Sequence, residues 1–461
     1  MESLIEVAQE KATLDIRLLL SVLGGISVLL VLILRFKIQA FIALLLASIT
    51  VGILAGIPPM AIITTMKKGM GDTLGFVALV IGLGAIFGSI LEYSGGAEAL
   101  ARFMLKKFGE KRASWALMIT GFLVAIPVFF DVAFIILVPI IYSLQRRTKK
   151  SLLLYAIPLL AGLAITHSFI PPTPGPIAVA DILGADLGWV ILFGFIVGVP
   201  TAIVCGPIFA KYIAEKIHVD APEATTENIK NEDYPAIGLI LSIIGIPILL
   251  IVCNTIINSP LVSEEFISLE IKQWIGLIGN PIVALIIANL IAWYVLGIRR
   301  KVTKQKLLDI TSASMAPTGI IILLTGAGGV FKQMLVTTET GKMLAAYFAE
   351  MGIPIIIFGF FIAVLVRILQ GSATVAMITA AGITAPLVMA QVDITAIDKA
   401  LLVIAIASGA SIMSHVNDSG FWLVSKYLGI NEKQTFQSWT VMTTILALVS
   451  FTIVIILSFI K

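Results

Sequence analysis

Residues 114–142 read SWALMITGFLVAIPVFFDVAFIILVPIIY, and this stretch decides the kind of molecule at hand. Both sides of Ile126-Pro127-Val128-Phe129-Phe130-Asp131 are apolar, yet each flank holds only about a dozen residues, short of the ~20 a helix needs to cross a bilayer. Arg102, Lys106, Lys107, Lys111 and Arg112 precede the stretch, and Arg146, Arg147, Lys149 and Lys150 follow it. Short cytoplasmic loops of membrane proteins collect such cations. Both ends therefore belong to the cytoplasmic side, and the segment is expected to enter and leave the membrane by one face, as a re-entrant hairpin over 114–142.

The rest of the chain fits a membrane setting. Of 461 residues, 59% are hydrophobic and 13% charged, about half the roughly 25% charge of soluble domains. Runs such as 18–34, 38–56 and 440–460 are long enough to span. The net charge of +4 resides in loops and forms no nucleic-acid-binding surface. Cys205 and Cys253 both lie in apolar segments, which suggests neither a disulfide framework nor a metal knuckle. Residues 1–15 are acidic and lack a basic leader region, so no cleavable signal peptide is expected. The polar stretches 215–234 and 260–273 read as loops rather than soluble domains.

Two sets of segments recur in the same order. Gly82-Leu83-Gly84-Ala85-Ile86-Phe87 is echoed by Gly326-Ala327-Gly328-Gly329-Val330-Phe331, and Thr166-His167-Ser168 by Ser414-His415-Val416. The offsets, from 84 to 328 and from 167 to 415, agree roughly, as an internal repeat should show. The loops set its sense. The second-half counterparts of the basic loops carry only Glu339, Lys342 and Glu350, then Asp393, Asp398 and Lys399. Equivalent loops on opposite faces mean inverted topology. The acidic N-terminus and Glu264/Glu265 then lie outside, while Arg35, Lys37, the loop 215–234 and Arg299-Arg300-Lys301 lie inside; Lys67 and Lys68 run against the pattern. The expected architecture is an all-α polytopic membrane protein of two inverted repeats, each with about five transmembrane helices (one broken) and one hairpin. The first repeat covers 1–215, with its hairpin at 114–142 and a broken helix at 151–183. A cytoplasmic linker covers 216–234. The second repeat covers 235–461, with a hairpin at 353–389 and a broken helix at 399–428.

The breaks concentrate the polar residues. Four prolines in Pro171-Pro172-Thr173-Pro174-Gly175-Pro176 stop a helix, because each lacks an N–H and crowds the preceding turn. The second-half counterpart is Ser414-His415-Val416-Asn417-Asp418-Ser419-Gly420, and the second hairpin turns at Gly371-Ser372-Ala373-Thr374. Irregular backbone at membrane depth is tolerated beside protein or a water-filled cavity, so the two tips and two breaks are expected to meet near the midplane. Unwound helix ends there offer N–H groups to an anion and carbonyls to a cation. Asp131 either carries a proton, since burial favours the neutral carboxyl, or caps the hairpin. His167 and His415 either relay protons or brace the broken helices; His218 lies in the polar loop. Arg367 either binds an acidic solute or pairs with Asp418 or Asp131. Thr173, Ser372, Thr374, Asn417 and Asp418 are suited to hydrogen-bonding a polyol. The aromatic residues read mostly as lipid-facing or packing groups. No metal-ligand spacing links His167, His415 and Asp418, and neither metal nor cofactor is expected.

Three of these strings in order, 166–176, 371–376 and 414–422, resemble signatures of the gluconate permease family, with further similarity at Thr73-Leu74-Gly75-Phe76 and 328–333. The resemblance covers essentially the whole chain. It implies proton-coupled uptake of gluconate or a related sugar acid across a bacterial inner membrane. It also places the chain in a wider group of ion transporters with inverted repeats and hairpins, often homodimeric. Family members commonly carry Glu where Asp131 stands and a second His where Thr173 stands, and relatives carry D-serine, fructuronate or other small hydroxy acids. On this reading Thr166, Thr173, Gly175, Arg367, Gly371, Ser372, Thr374, Asn417 and Ser419 bind the solute. Asp131, His167, His415 or Asp418 holds the coupling proton. The rivals are a sodium-coupled carrier, an intramembrane enzyme and a channel. No His-Glu-x-x-His, Gly-x-Ser-x-Gly or nucleophile–base pair supports the enzyme.

Overall fold

The computed structural model describes residues 16–222, 234–258, 267–338 and 354–460, apart from 392 and 417. The acidic N-terminus, Glu264/Glu265, Glu339, Lys342, Glu350 and Asn417 lie outside the described residues. Among those described, regular structure is entirely helical, and nine helices are long and apolar enough to cross a membrane.

In chain order the helices are α1 (Ile16–Leu34), α2 (Ala40–Ala55), α3 (Pro59–Tyr93), α4 (Gly96–Phe108), α5 (Ala113–Val124), α6 (Phe130–Thr148), α7 (Leu153–Phe169) and α8 (Pro174–Leu183). There follow α9 (Leu187–Lys216), α10 (Ile237–Ile257), α11 (Leu269–Ile278), α12 (Pro281–Arg300) and α13 (Lys304–Ala313). The chain ends with α14 (Met315–Thr337), α15 (Ile355–Gln370), α16 (Ala373–Ala390), α17 (Ala396–Ser411), α18 (Ser419–Leu428) and α19 (Glu432–Ile460). One order of parts occurs twice: a long helix, a hairpin, a broken helix, and a long helix interrupted by a π-turn (Val204–Ile208 in α9, Phe436–Thr440 in α19).

The hairpins are α5–α6 and α15–α16; the broken helices are α7–α8 and α17–α18. Each hairpin's first arm packs on the first part of the following broken helix, α5 on α7 and α15 on α17. The helices preceding the hairpins form a second group, in which α14 lies along α3 and α2. The groups meet where α16 and α8 rest against α14 and α3. The second arm of the first hairpin continues past 142 to Thr148, because Arg146 and Arg147 in its last turn interact favourably with the helix C-terminus. Lys67 and Lys68 sit exposed within α3 rather than in a loop. At 35 residues that helix is about 52 Å long and overhangs a ~30 Å hydrocarbon core, which accommodates two lysines in its third turn.

Candidate functional site

The first hairpin tip is aimed by close backbone packing. Pro127 interrupts the helix, and Val128 N–H still reaches the Val124 carbonyl at 3.2 Å. The tip lies on α3 at Gly88, where an added Cβ would stand 2.0 Å from the Pro127 carbonyl oxygen; only glycine permits that approach. Helix α6 then starts at Phe130, with Phe129 extended and no side-chain cap on its free N–H groups. Asp131 sits in this first turn. Its carboxylate is exposed to a cavity and has no hydrogen-bond or ion-pair partner among the described residues.

The second hairpin turns at Gly371, whose φ of +92° is left-handed and suits a residue without a side chain. Ser372 caps α16, its hydroxyl accepting from Val375 N–H at 3.4 Å. One turn earlier, Arg367 is only 4% exposed. Its Nε donates to the Ile412 carbonyl at 3.3 Å, an Nη to the Gly371 carbonyl, and the other Nη to Asp418 Oδ2 at 2.6 Å. This buried ion pair ties the second hairpin to the second break. Asp418 also accepts from Ser414 Oγ–H and, at 3.1 Å, from Gly420 N–H, so it caps α18. Ser414 in turn accepts from Trp439 Nε1–H at 2.6 Å.

Between these parts lies a cavity of about 390 Å³, a volume typical of small-molecule sites. The second hairpin and second break contribute Arg367, Ser372, Thr374, Asp418, Ser419 and Gly420 to its wall. The first hairpin and first broken helix contribute Phe129, Phe130, Asp131, His167 and Ser168. Trp439 joins the two, packing 5.6 Å from the Phe130 ring centroid while bonded to Ser414. The His167 ring stands 6.4 Å from Phe129 and 6.5 Å from Phe130, and its buried Nδ1 has no hydrogen-bond partner among the described residues. The hydroxyls of Ser168 and Ser411, one beside each break, meet at 3.1 Å. The starts of α6, α16 and α18 all border the cavity. Each helix N-terminus carries up to about half a positive charge, so the wall is suited to an anion.

Seven of the residues expected at the site thus share one cavity: Asp131, His167, Arg367, Ser372, Thr374, Asp418 and Ser419, with Asp418 paired to Arg367. Others are placed elsewhere. Thr166 donates to the Phe122 carbonyl at 2.9 Å and Thr173 to the Ile170 carbonyl at 2.7 Å, both buried. Gly175 packs against Met377. Gly371 forms the turn behind Ser372. His415 pairs its Nε2 with the Ile368 carbonyl at 3.0 Å, bracing the second hairpin. Asn417 lies outside the described residues. Among those residues, no group of three or more His, Cys, Asp or Glu side chains is arranged to hold a metal. Phe129, Phe130 and Trp439 are cavity residues that the sequence reading assigned to packing. The available signal was position: the phenylalanines precede Asp131 directly, and Trp439 lies between Ser438 and Thr440 at the start of an apolar run.

Comparison with known proteins places the chain in a family. The profile of the GntP family permease matches residues 16–460. The chain is 38% identical over 448 residues to a gluconate permease of Pseudomonas aeruginosa, covering 96% of this chain and 98% of that one. It is 40% identical over 433 residues to the low-affinity gluconate transporter of Escherichia coli K12, covering 94% and 96%. Among solved structures, MtrF of Neisseria gonorrhoeae, described with a class of antimetabolite efflux pumps, superposes with a TM-score of 0.62 at 14% identity, over 86% of this chain and 83% of that one. The YdaH transporter of Alcanivorax borkumensis gives 0.61 at 15%, over 86% and 87%. At such identities the likeness is one of fold.

Proposed function

This chain belongs to the GntP permease family, a multi-pass membrane carrier rather than an enzyme, and from that premise we propose that it takes up gluconate or a closely related sugar acid together with a proton. The substrate is inferred from the names of its relatives, and from a cavity walled by helix N-termini, hydroxyls and an arginine. The setting inferred is a bacterial inner membrane, with the chain as a homodimer of inverted repeats.

The observation that carries the coupling is the charge of the cavity. Arg367 and Asp418 neutralise one another, while Asp131 has no partner, so the ionised wall has a net charge of −1. A sugar-acid carboxylate at the Arg367 side adds a second negative charge. Two such charges ~8 Å apart repel by about 2 kcal/mol at an effective dielectric near 20, roughly a thirtyfold loss of affinity. A proton on Asp131 removes the repulsion and returns the cavity to −1, its value when empty. Substrate and proton therefore favour each other's binding, the reciprocity that symport needs. In this mechanism Ser372, Thr374 and Ser419 hold the carboxylate and neighbouring hydroxyls, and Arg367 supplies the field. Phe130 and Trp439 pack on the carbon chain. The hairpins and broken helices carry the site between the two faces.

The test is uptake of labelled gluconate into proteoliposomes under an imposed inward proton gradient, with a sodium gradient as the parallel arm. Accumulation above equilibrium that collapses with an uncoupler is expected, with at least a tenfold loss of accumulation in Asp131→Asn. Accumulation driven only by sodium would replace the coupling ion, and uptake of another small hydroxy acid such as D-serine in place of gluconate would replace the substrate.

A further inference from the structure

We propose that Asp131 is a specificity residue that excludes solutes bearing a carboxylate at each end, and so restricts the carrier to monocarboxylic sugar acids. The inference rests on the reading of the cavity as a sugar-acid site, and it concerns which members of that class are refused.

The cavity wall is chemically lopsided. Among the described lining residues, the fixed cation and the polar helix caps all come from the second hairpin and second break, at Arg367, Ser372 and the start of α18. The first hairpin contributes a carboxylate without a described partner, Asp131, with two phenylalanines beside it. Two other titratable groups line the same wall: His167, whose ring stands near both phenylalanines, and Asp418, which is paired with Arg367. A solute that leads with one carboxylate finds donors for it on the Arg367 side. Its far carbons then approach Asp131, where a hydroxyl is a suitable hydrogen-bond partner for a carboxyl in either protonation state. A second carboxylate there has no cation to meet, and the partial positive charge of the α6 start is already offset by Asp131 in its first turn. With one proton on Asp131 the two acids share that proton, and the cavity still carries one negative charge more than it does with a monocarboxylate. Rejection of a charge without a partner is how a site discriminates strongly between solutes of nearly equal shape.

The probes are gluconate and glucarate, which share the six-carbon polyol skeleton but carry one and two carboxylates. Their affinities for the purified protein are compared by calorimetry at a pH where all the acids are ionised. The wild type is expected to bind glucarate at least about tenfold more weakly than gluconate. Asp131→Asn is expected to close most of that gap, and Asp131→Glu to keep it. The monoamide of glucarate, equal in length but singly charged, is expected to bind the wild type like gluconate, an arm that needs no variant. Exclusion of the monoamide would show that shape rather than charge is read, and would overturn the proposal. So would an unchanged gap in Asp131→Asn, or equal binding of gluconate and glucarate by the wild type. Failure of the wild type to bind gluconate at all is a separate result; it removes the sugar-acid reading and the exclusion with it.

Discussion

The two broken helices stop at matching points of the chain and do opposite things there. At the first, residues 170–173, every side chain is buried, and α8 beyond it lies closely along α16. At the second, residues 412–418, Met413 and Val416 are exposed, and α18 meets α6 chiefly through Tyr427, near Phe134 and Tyr142. The space left between the starts of α6 and α18 is the cavity. The difference follows from backbone chemistry. Pro171, Pro172, Pro174 and Pro176 have no N–H to satisfy, so the first break can be packed dry. The second has no proline between 412 and 418, and its donors need partners: Ser414 N–H finds Thr443 Oγ1 at 3.1 Å, Asp418 N–H the His415 carbonyl at 2.8 Å, and Gly420 N–H the Asp418 carboxylate. A break that must be satisfied by polar side chains is one that can also offer them to a solute.

The largest expected effect comes from the ion pair that holds the open break in shape. Arg367→Ala leaves Asp418 without its cation in a largely buried setting, a change that costs about 3–5 kcal/mol. Thermal unfolding in detergent is expected to show a large fall in melting temperature. Pairing Arg367→Met with Asp418→Leu is expected to recover much of the loss, because an apolar pair of similar size is often as stable as the buried ion pair it replaces. A wild-type melting curve for Arg367→Ala would mean that the second break keeps its shape without the pair.

An intermediate effect separates binding from folding. Ser419→Ala and Thr374→Ala remove hydroxyls that face the cavity and have no described protein partner. Hydrogen bonds to a charged group contribute about 1.5–3 kcal/mol, so the KM for gluconate uptake is expected to rise at least about tenfold, with the melting temperature unchanged. A KM that stays put in both variants would move the carboxylate away from the starts of α16 and α18.

Much of this contrast could be read from the residues, and part could not. Two hairpins and two breaks were legible because proline and glycine mark them, and because flanks of a dozen apolar residues are too short to span. Asp131 and Arg367 stood out because a charge in an apolar segment needs a reason. The partnership of Arg367 with Asp418 stands beside two other options, an acidic solute and Asp131, since residues 51 apart in sequence meet only through the packing of α15 on α17. The separation of Thr173 from the cavity was not legible at all. Threonine after two prolines looks as available as serine after aspartate, and which hydroxyl turns inward depends on how closely α8 lies on α16. Trp439 is harder still to find, because a π-turn inside an apolar helix leaves no sequence mark beyond the flanking Ser438 and Thr440.

Thr173 therefore supplies the smallest and most selective test. Its hydroxyl donates to the Ile170 carbonyl within its own turn and faces no part of the large cavity. Thr173→Ala is expected to lower stability by about 1 kcal/mol, the usual loss for one neutral hydrogen bond, seen as a melting shift of a few degrees. The KM and extent of gluconate accumulation are expected to match the wild type. If KM instead rises as far as in Ser419→Ala, the first break opens onto the substrate path at some stage of the cycle, and the dry, proline-filled break is closed only in the conformation described here.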